Sequence, residues 1–300
     1  MAGTHFARKQ NTAFEGERLG RRSQVREVWN RFKKRKISVI GLGIIAFLVL
    51  VTIFANVLAP YDFSYQDLAS RLQLPSMAHP FGTDAFGRDI LTRILYGGRT
   101  SLLVSLLGCL IALGGGAIVG SVAGFYSGKV DILLMRLRDV ISAVPGDLLA
   151  VVISSALGTG VWQTAMAVSI SGIPSSARML RATVLSIRGQ EYVEAARAYG
   201  SKDWRIITKH IIPNCIAPLI VDTTLRLGGN IMMISGLSFI GLGVQEPYAE
   251  WGAMLNSGRP YIRDFWPLIT FPGIVILLAM LGFNLAGDGL RDALDPKLKQ

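Results

Sequence analysis

Twenty-two consecutive residues of this chain, 37–58, read ISVIGLGIIAFLVLVTIFANVL and carry no charge. A bilayer core takes about 20 apolar residues at helical rise, so the block is long enough to cross one. Comparable blocks recur near 101–125, 140–158, 161–177, 215–243 and 266–286. They predict an all-α, polytopic bundle of six membrane helices. The fourth block is rich in Ser and Thr, and the fifth carries two charges. Across its 300 residues the chain is 51% hydrophobic and only 17% charged, which argues against disorder and against an ordinary soluble globule. The first block does not read as a cleaved leader. It follows 36 residues, lacks a small-x-small site, and exceeds a leader's apolar core of about 7–15 residues.

Charge sets the expected orientation. The formal net charge is +11, and the Lys and Arg residues are unevenly placed. The tail 1–36 holds eleven and the segment 178–213 holds seven. With both tails and the segments 126–139 and 178–213 in the cytoplasm, twenty-four positives lie inside and six outside. The positive-inside rule favours that arrangement. The basic excess is then explained by topology and anionic membrane lipid. No nucleic-acid-binding motif accompanies it, so no nucleic-acid partner is expected. Cys109 and Cys215 show no disulfide or metal spacing. His5, His79 and His210 are too scattered to suggest a metal site.

The expected segments are a basic tail 1–36, a first span 37–58, an external loop 59–100, a transmembrane domain 101–290 and a cytoplasmic tail 291–300. Within the tail, 1–20 are polar and mixed. Residues 23–36 can form a basic amphipathic helix with Val25, Val28 and Phe32 on one stripe, lying on the inner membrane surface. A solvated charge run that only fixes orientation is the alternative. The loop 59–100 is rich in Pro and Gly turns, and a short helix is expected over 88–96. Gly116, Gly120 and Gly124 recur every fourth residue in the second span, a spacing that lets helix backbones approach closely in lipid.

The segment 178–213 is the most informative. Residues 182–199 have high helix propensity. Gly200 breaks the run, Ser201 can cap a second helix with Asp203 in its first turn, and Pro213 closes it. A helix, a bend, a second helix and a proline make a folded hairpin suited to docking and to transmitting force.

The same residues carry a resemblance. Glu194-Ala195-Ala196, three residues, Gly200, nine residues, then His210-Ile211-Ile212-Pro213 resembles the EAA loop of ABC-importer membrane subunits. In that pattern His210 stands where Ile is usual and Ile212 where Leu is usual. HPFGTDAFGRDILTRILYGGRTSL, GLSFIGLGVQEPYAEWGAML and NLAGDGLRDALDPKLK are similar to segments of one branch, the second permease subunit of dipeptide and oligopeptide importers. A carboxylate common in that branch shortly before L-S-F is replaced by Ile234 and Ser235. The resemblance implies a five-helix core with the first span added to it. It also implies four partner subunits: a homologous second permease, two cytoplasmic ATPases and an extracytoplasmic substrate-binding protein. The cargo it implies is a di- or oligopeptide, with nickel chelates, glutathione-like molecules or sugars handled by related permeases.

No G-x-x-x-x-G-K-[ST] pattern occurs, so the chain has no phosphate cradle of that kind. It is expected to be a transport subunit without a cofactor or catalysis of its own, its partners hydrolysing ATP. In the coupling role, the helix around Glu194–Tyr199 docks in a groove on the ATPase, kept slim by Ala195, Ala196 and Ala198; Gly200 gives the sharp exit, Pro213 fixes the start of the fifth span, and Ile212 completes the coupling set. Glu194 would pair with a basic group on the partner or with a neighbouring Arg. Asp222 and Arg226, four apart, either neutralise one another or form a polar site on the pathway. Asp147 follows Pro145-Gly146 and either lines a watery cavity or satisfies backbone donors freed by a kink. Trp251 and Gly252 are read in a polar outer loop, receiving the binding protein, gating the pathway or anchoring in the headgroup region. The competing class is a stand-alone secondary carrier or channel gated by the hairpin, although no internal repeat is evident.

Overall fold

A computed structural model describes residues 26–295. Among these the chain is helical, with one isolated antiparallel bridge between Thr83 and Asp89. Helix α1 covers 26–34. It is followed by α2 (Lys36–Ile53), α3 (Ala55–Leu58), α4 (Ile90–Tyr126), α5 (Gly128–Ser142) and α6 (Gly146–Leu157). The order continues through α7 (Val161–Ile187), α8 (Glu191–Ala198), α9 (Asp203–Ile206), α10 (Ile216–Phe239), α11 (Trp251–Gly258) and α12 (Pro267–Leu294). The tail 1–25, with Val25 of the expected stripe, and residues 296–300 lie outside the described residues.

By length and composition α2, α4 and α12 can each cross a membrane. The third predicted block is a broken element: α5 and α6 qualify only as a pair and meet at 80°. Pro145 supplies the break, since it has no N–H to continue the α5 ladder. Helices α7 and α10, of 27 and 24 residues, are long enough but more polar. The short helix expected over 88–96 is not separate. Asp89 caps Thr92 N–H at 2.7 Å, and the helix it starts runs unbroken for 37 residues. At 1.5 Å per residue, α4 is about 55 Å long, well beyond a hydrocarbon core.

The glycine stripe on α4 packs on α7. A Cβ at Gly116 would fall 2.3 Å from Ser176 Cβ, one at Gly120 2.6 Å from the Ala177 carbonyl oxygen, and one at Gly124 2.8 Å from Val184 Cβ. Only hydrogen leaves room for these backbones to meet, which is how small residues join helices where lipid removes the hydrophobic drive. The first span docks similarly at the edge. Gly41 of α2 meets Leu285 and Ala286 of α12, and Gly289 of α12 meets Ser38. The rest of α2 is apolar all round, with Ile40, Phe47, Leu50 and Ile53 exposed, as a lipid-facing helix should be. Helix α1 lies at the end of α12: Phe32 is buried near Gly289, Val28 is half-buried, and Arg35 pairs with Asp292.

Candidate functional site

The hairpin after α7 is built as a rigid projection. Glu191 and Glu194 occupy the first turn of α8 and Arg197 the last, which suits the helix dipole. At its end the Gly200 N–H donates to the Arg197 carbonyl at 2.9 Å, and the Ser201 N–H donates to the Ala196 carbonyl at 3.1 Å. This paired closure requires a left-handed residue, and Gly200 has φ of +74°. Ser201 is therefore part of the bend, not the cap of a second helix. Helix α9 starts from Lys202 with no side-chain cap. The expected second helix is also divided, into α9, a π turn at Ile207–Ile211 and a 3-10 turn at Ile212–Cys215 that leads into α10. His210 sits half-buried in the π turn, and Ile212 and Pro213 are half-buried at the base of α10.

Val193, Ile206, Ile211 and Cys215 form one buried cluster with Phe125 of α4 and with Leu180 and Val184 of α7. The hairpin is thus fused to the ends of the two helices joined by the glycine stripe. Its outer face is open: Glu194, Ala195 and Ala198 are exposed, Tyr199 is 91% exposed and Trp204 74%. Ala196 is half-buried against the cluster. The Glu194 carboxylate has no ion-pair partner among the described residues, so it is not occupied by a neighbouring Arg. Arg197 instead lies over the Phe125 ring, 5.3 Å from its centroid.

Farther along the bundle, Asp222 and Arg226 form the expected intrahelical pair, and Arg226 also donates to Ser175 Oγ of α7 at 2.9 Å. Asp147 stands exposed in the first turn of α6 and makes no side-chain cap there. It lines a cavity of about 450 Å³ with Gly229, Met232, Met233 and Gly236 of α10.

At the opposite end from the hairpin, Trp251 and Gly252 are not in an exposed polar loop. Trp251 is 1% exposed at the start of α11, its indole N–H donating to the Ile94 carbonyl at 3.0 Å. A Cβ on Gly252 would lie 2.4 Å from Ser235 Cα of α10. The preceding Glu250 is fully buried, and accepts from Ala253 N–H and Ser101 Oγ, both at 2.8 Å. Burial pushes its carboxyl above the usual glutamate range, against the hydrogen bonds that favour the ion.

A second buried group at this end was not singled out from sequence. Arg88 makes a two-pronged contact to Glu246 at 2.6 and 3.2 Å and donates from Nε to Asp84 at 2.6 Å. Arg93 adds a bond to Glu246 at 3.4 Å. Arg88, Arg93 and Asp84 are almost wholly buried. These charges tie the approach to α4 to the segment following α10. From sequence, Arg88 and Arg93 count only among the six positives expected outside. The clue to more was their place in the HPFGTDAFGRDILTRILYGGRTSL run.

This arrangement of long helices matches the inward-facing MetNI methionine ABC transporter, with a TM-score of 0.55 over 68% of this chain and 97% of that one, at 16% identity. The fold is that of an ABC transporter membrane subunit. Residues 116–300 match the family described as binding-protein-dependent transport system inner membrane component, and residues 23–75 match the N-terminal TM domain of oligopeptide transport permease C. A dipeptide transport system permease protein of Alkalihalophilus pseudofirmus is 44% identical over 91% of this chain and 90% of its own length. A probable D,D-dipeptide transport system permease protein of Escherichia coli is 40% identical, over 96% and 94%. A glutathione transport system permease protein of Pectobacterium atrosepticum is 40% identical, over 93% of each.

The chain belongs to the family of binding-protein-dependent transport system inner membrane components. It is a multi-pass membrane permease of the ABC-importer class, not an enzyme. Such permeases work with separate ATPase subunits, which hydrolyse the ATP, and with a substrate-binding protein.

Proposed function

We propose that this permease forms half of a pathway for small peptides, beside a homologous second permease and above two ATPase subunits. The observation that carries the coupling role is the hairpin's construction. Its open Glu194–Ala195–Ala198–Tyr199 face is held by Gly200 and by a buried cluster on α4 and α7. A face so mounted transmits a push to two transmembrane helices as rigid-body motion. The unpaired Glu194 meets a basic group on the ATPase, and Ile212 and Pro213 hold the hairpin at the foot of α10. The peptide assignment rests on the relatives, whose names cover dipeptides, D,D-dipeptides and glutathione. In this reading the six spans place both tails and 178–213 in the cytoplasm, with 59–100 outside.

Asp147 faces the pathway, as its cavity on α10 supports. Asp222 and Arg226 neutralise one another within α10 and tie it to α7. Trp251 and Gly252 serve the outer gate from within, as a brace against α4 and α10. Of the roles considered for them, their burial supports this one.

The test is peptide uptake by cells expressing all subunits. Deleting 194–200 should abolish both uptake and co-purification of the ATPases. Normal uptake by the deletion variant would defeat the coupling role, and wild-type cells that import no peptide would defeat the cargo.

A further inference from the structure

A cavity of about 600 Å³ occupies the corner where α5 meets α6, with α7 as its floor. Its size falls within the range of small-molecule sites, about 300–1,000 Å³. Two guanidinium groups line it and no carboxylate does. Arg138 is buried and fixed, its Nε donating to the Pro174 carbonyl at 3.0 Å and its Nη1 pairing with Asp139. Arg178 is exposed to the cavity side and has no hydrogen-bond or ion-pair partner among the described residues. The hydroxyls of Ser142, Ser171 and Ser175 share the lining, and Arg226 stands behind Ser175. An unpartnered guanidinium that faces a cavity is a candidate ligand contact, and its fork fits a carboxylate.

The corner has two chemical sides. Gly146 lines this cavity, and the adjacent Asp147 lines the other, on α10. A cationic recess and an anionic one therefore share the start of α6 as a wall, which matches the opposite charges at the ends of a free peptide.

We propose that the α5–α6 corner is a carboxylate subsite of the peptide pathway, where Arg178 receives the C-terminal carboxylate of the cargo. The proposal rests on the peptide-import reading above. Arg138, paired with Asp139, is a fixed part of the wall, and the apolar lining takes the adjoining side chain.

The test uses the complete permease–ATPase complex, without binding protein, in bilayer discs of phosphatidylcholine with and without phosphatidylglycerol. The probes are dialanine and its C-terminal amide, measured by equilibrium binding. The wild type should bind dialanine more tightly than the amide. Arg178→Gln should weaken dialanine at least tenfold and leave the amide unchanged, and Arg178→Lys should recover part of the loss. Gly146→Leu gives a second readout that does not touch the charge. Gly146 has open space around a Cβ and no left-handed φ, so the leucine fills the cavity without backbone strain and should weaken both probes.

Unchanged dialanine affinity in Arg178→Gln and in Gly146→Leu overturns the subsite. So does a loss of bound phosphatidylglycerol in Arg178→Gln with dialanine affinity intact, which would make the corner a lipid headgroup site. A wild type that imports dialanine yet binds it independently of Arg178 refutes the subsite alone. A wild type that imports no peptide refutes the underlying reading.

Discussion

At the residue scale, the sharpest constraint is Gly200. Its neighbours leave open space, so a side chain there is opposed by φ and not by contact. A left-handed non-glycine residue costs about 1–2 kcal/mol. Gly200→Ala should therefore lower hairpin stability by about that much, and Gly200→Val, being β-branched, by more. Co-purification of the ATPases should fall in the same order. Arg88 makes a different prediction. Removing one partner of a buried ion pair costs about 3–5 kcal/mol. Arg88→Gln should destabilise the detergent-solubilised protein by about 3 kcal/mol in thermal unfolding, and adding Glu246→Gln should recover part of it. Glu250 predicts a pH slope. Its carboxyl is raised by burial, so the folded protein keeps the proton to a higher pH than the unfolded chain. The associated stability is complete below the ordinary glutamate value and is lost as pH rises towards the raised one. Melting temperature against pH should show that fall in the wild type, and Glu250→Gln should remove it.

At the element scale, the α4–α7 seam is the firmest structural joint. Gly120→Leu would push a side chain into the Ala177 carbonyl, and overpacking of this kind costs about 1–3 kcal/mol. Folded yield and melting temperature should both drop, more than for Gly114→Leu on the same helix, where nothing lies within 4 Å. This seam was legible in the sequence because a fourfold glycine period has one simple packing consequence. Helix breaks were less legible. A largely apolar block such as 140–158, with Asp147 its one charge, does not reveal an 80° turn, since apolarity reports burial in lipid and not direction. The second hairpin helix read as continuous for a similar reason. The π and 3-10 turns at 207–215 answer to packing on Phe125 and Leu180, which local propensity does not contain.

At the scale of the whole molecule, orientation has a direct test. Both native cysteines are buried, so Tyr199→Cys adds one accessible thiol. A membrane-impermeant maleimide should label it in inside-out vesicles and not in intact cells. Labelling from outside would reverse the topology. The hairpin's motif was readable because it is local, within twenty residues of chain. The charge cluster around Arg88 was not, because Arg88 and Glu246 are separated by 158 positions and meet only in the folded protein. Between these two regions runs α4, from the Asp89 cap beside the cluster to Phe125 beneath the hairpin. It contains no proline in its 37 residues and runs as one unbroken helix. A stiff rod of about 55 Å tilting by about 10° around its midpoint carries each tip about 5 Å in opposite directions. In the proposed coupling, a push at the hairpin would therefore reach the Arg88 cluster along a single helix and with reversed sense.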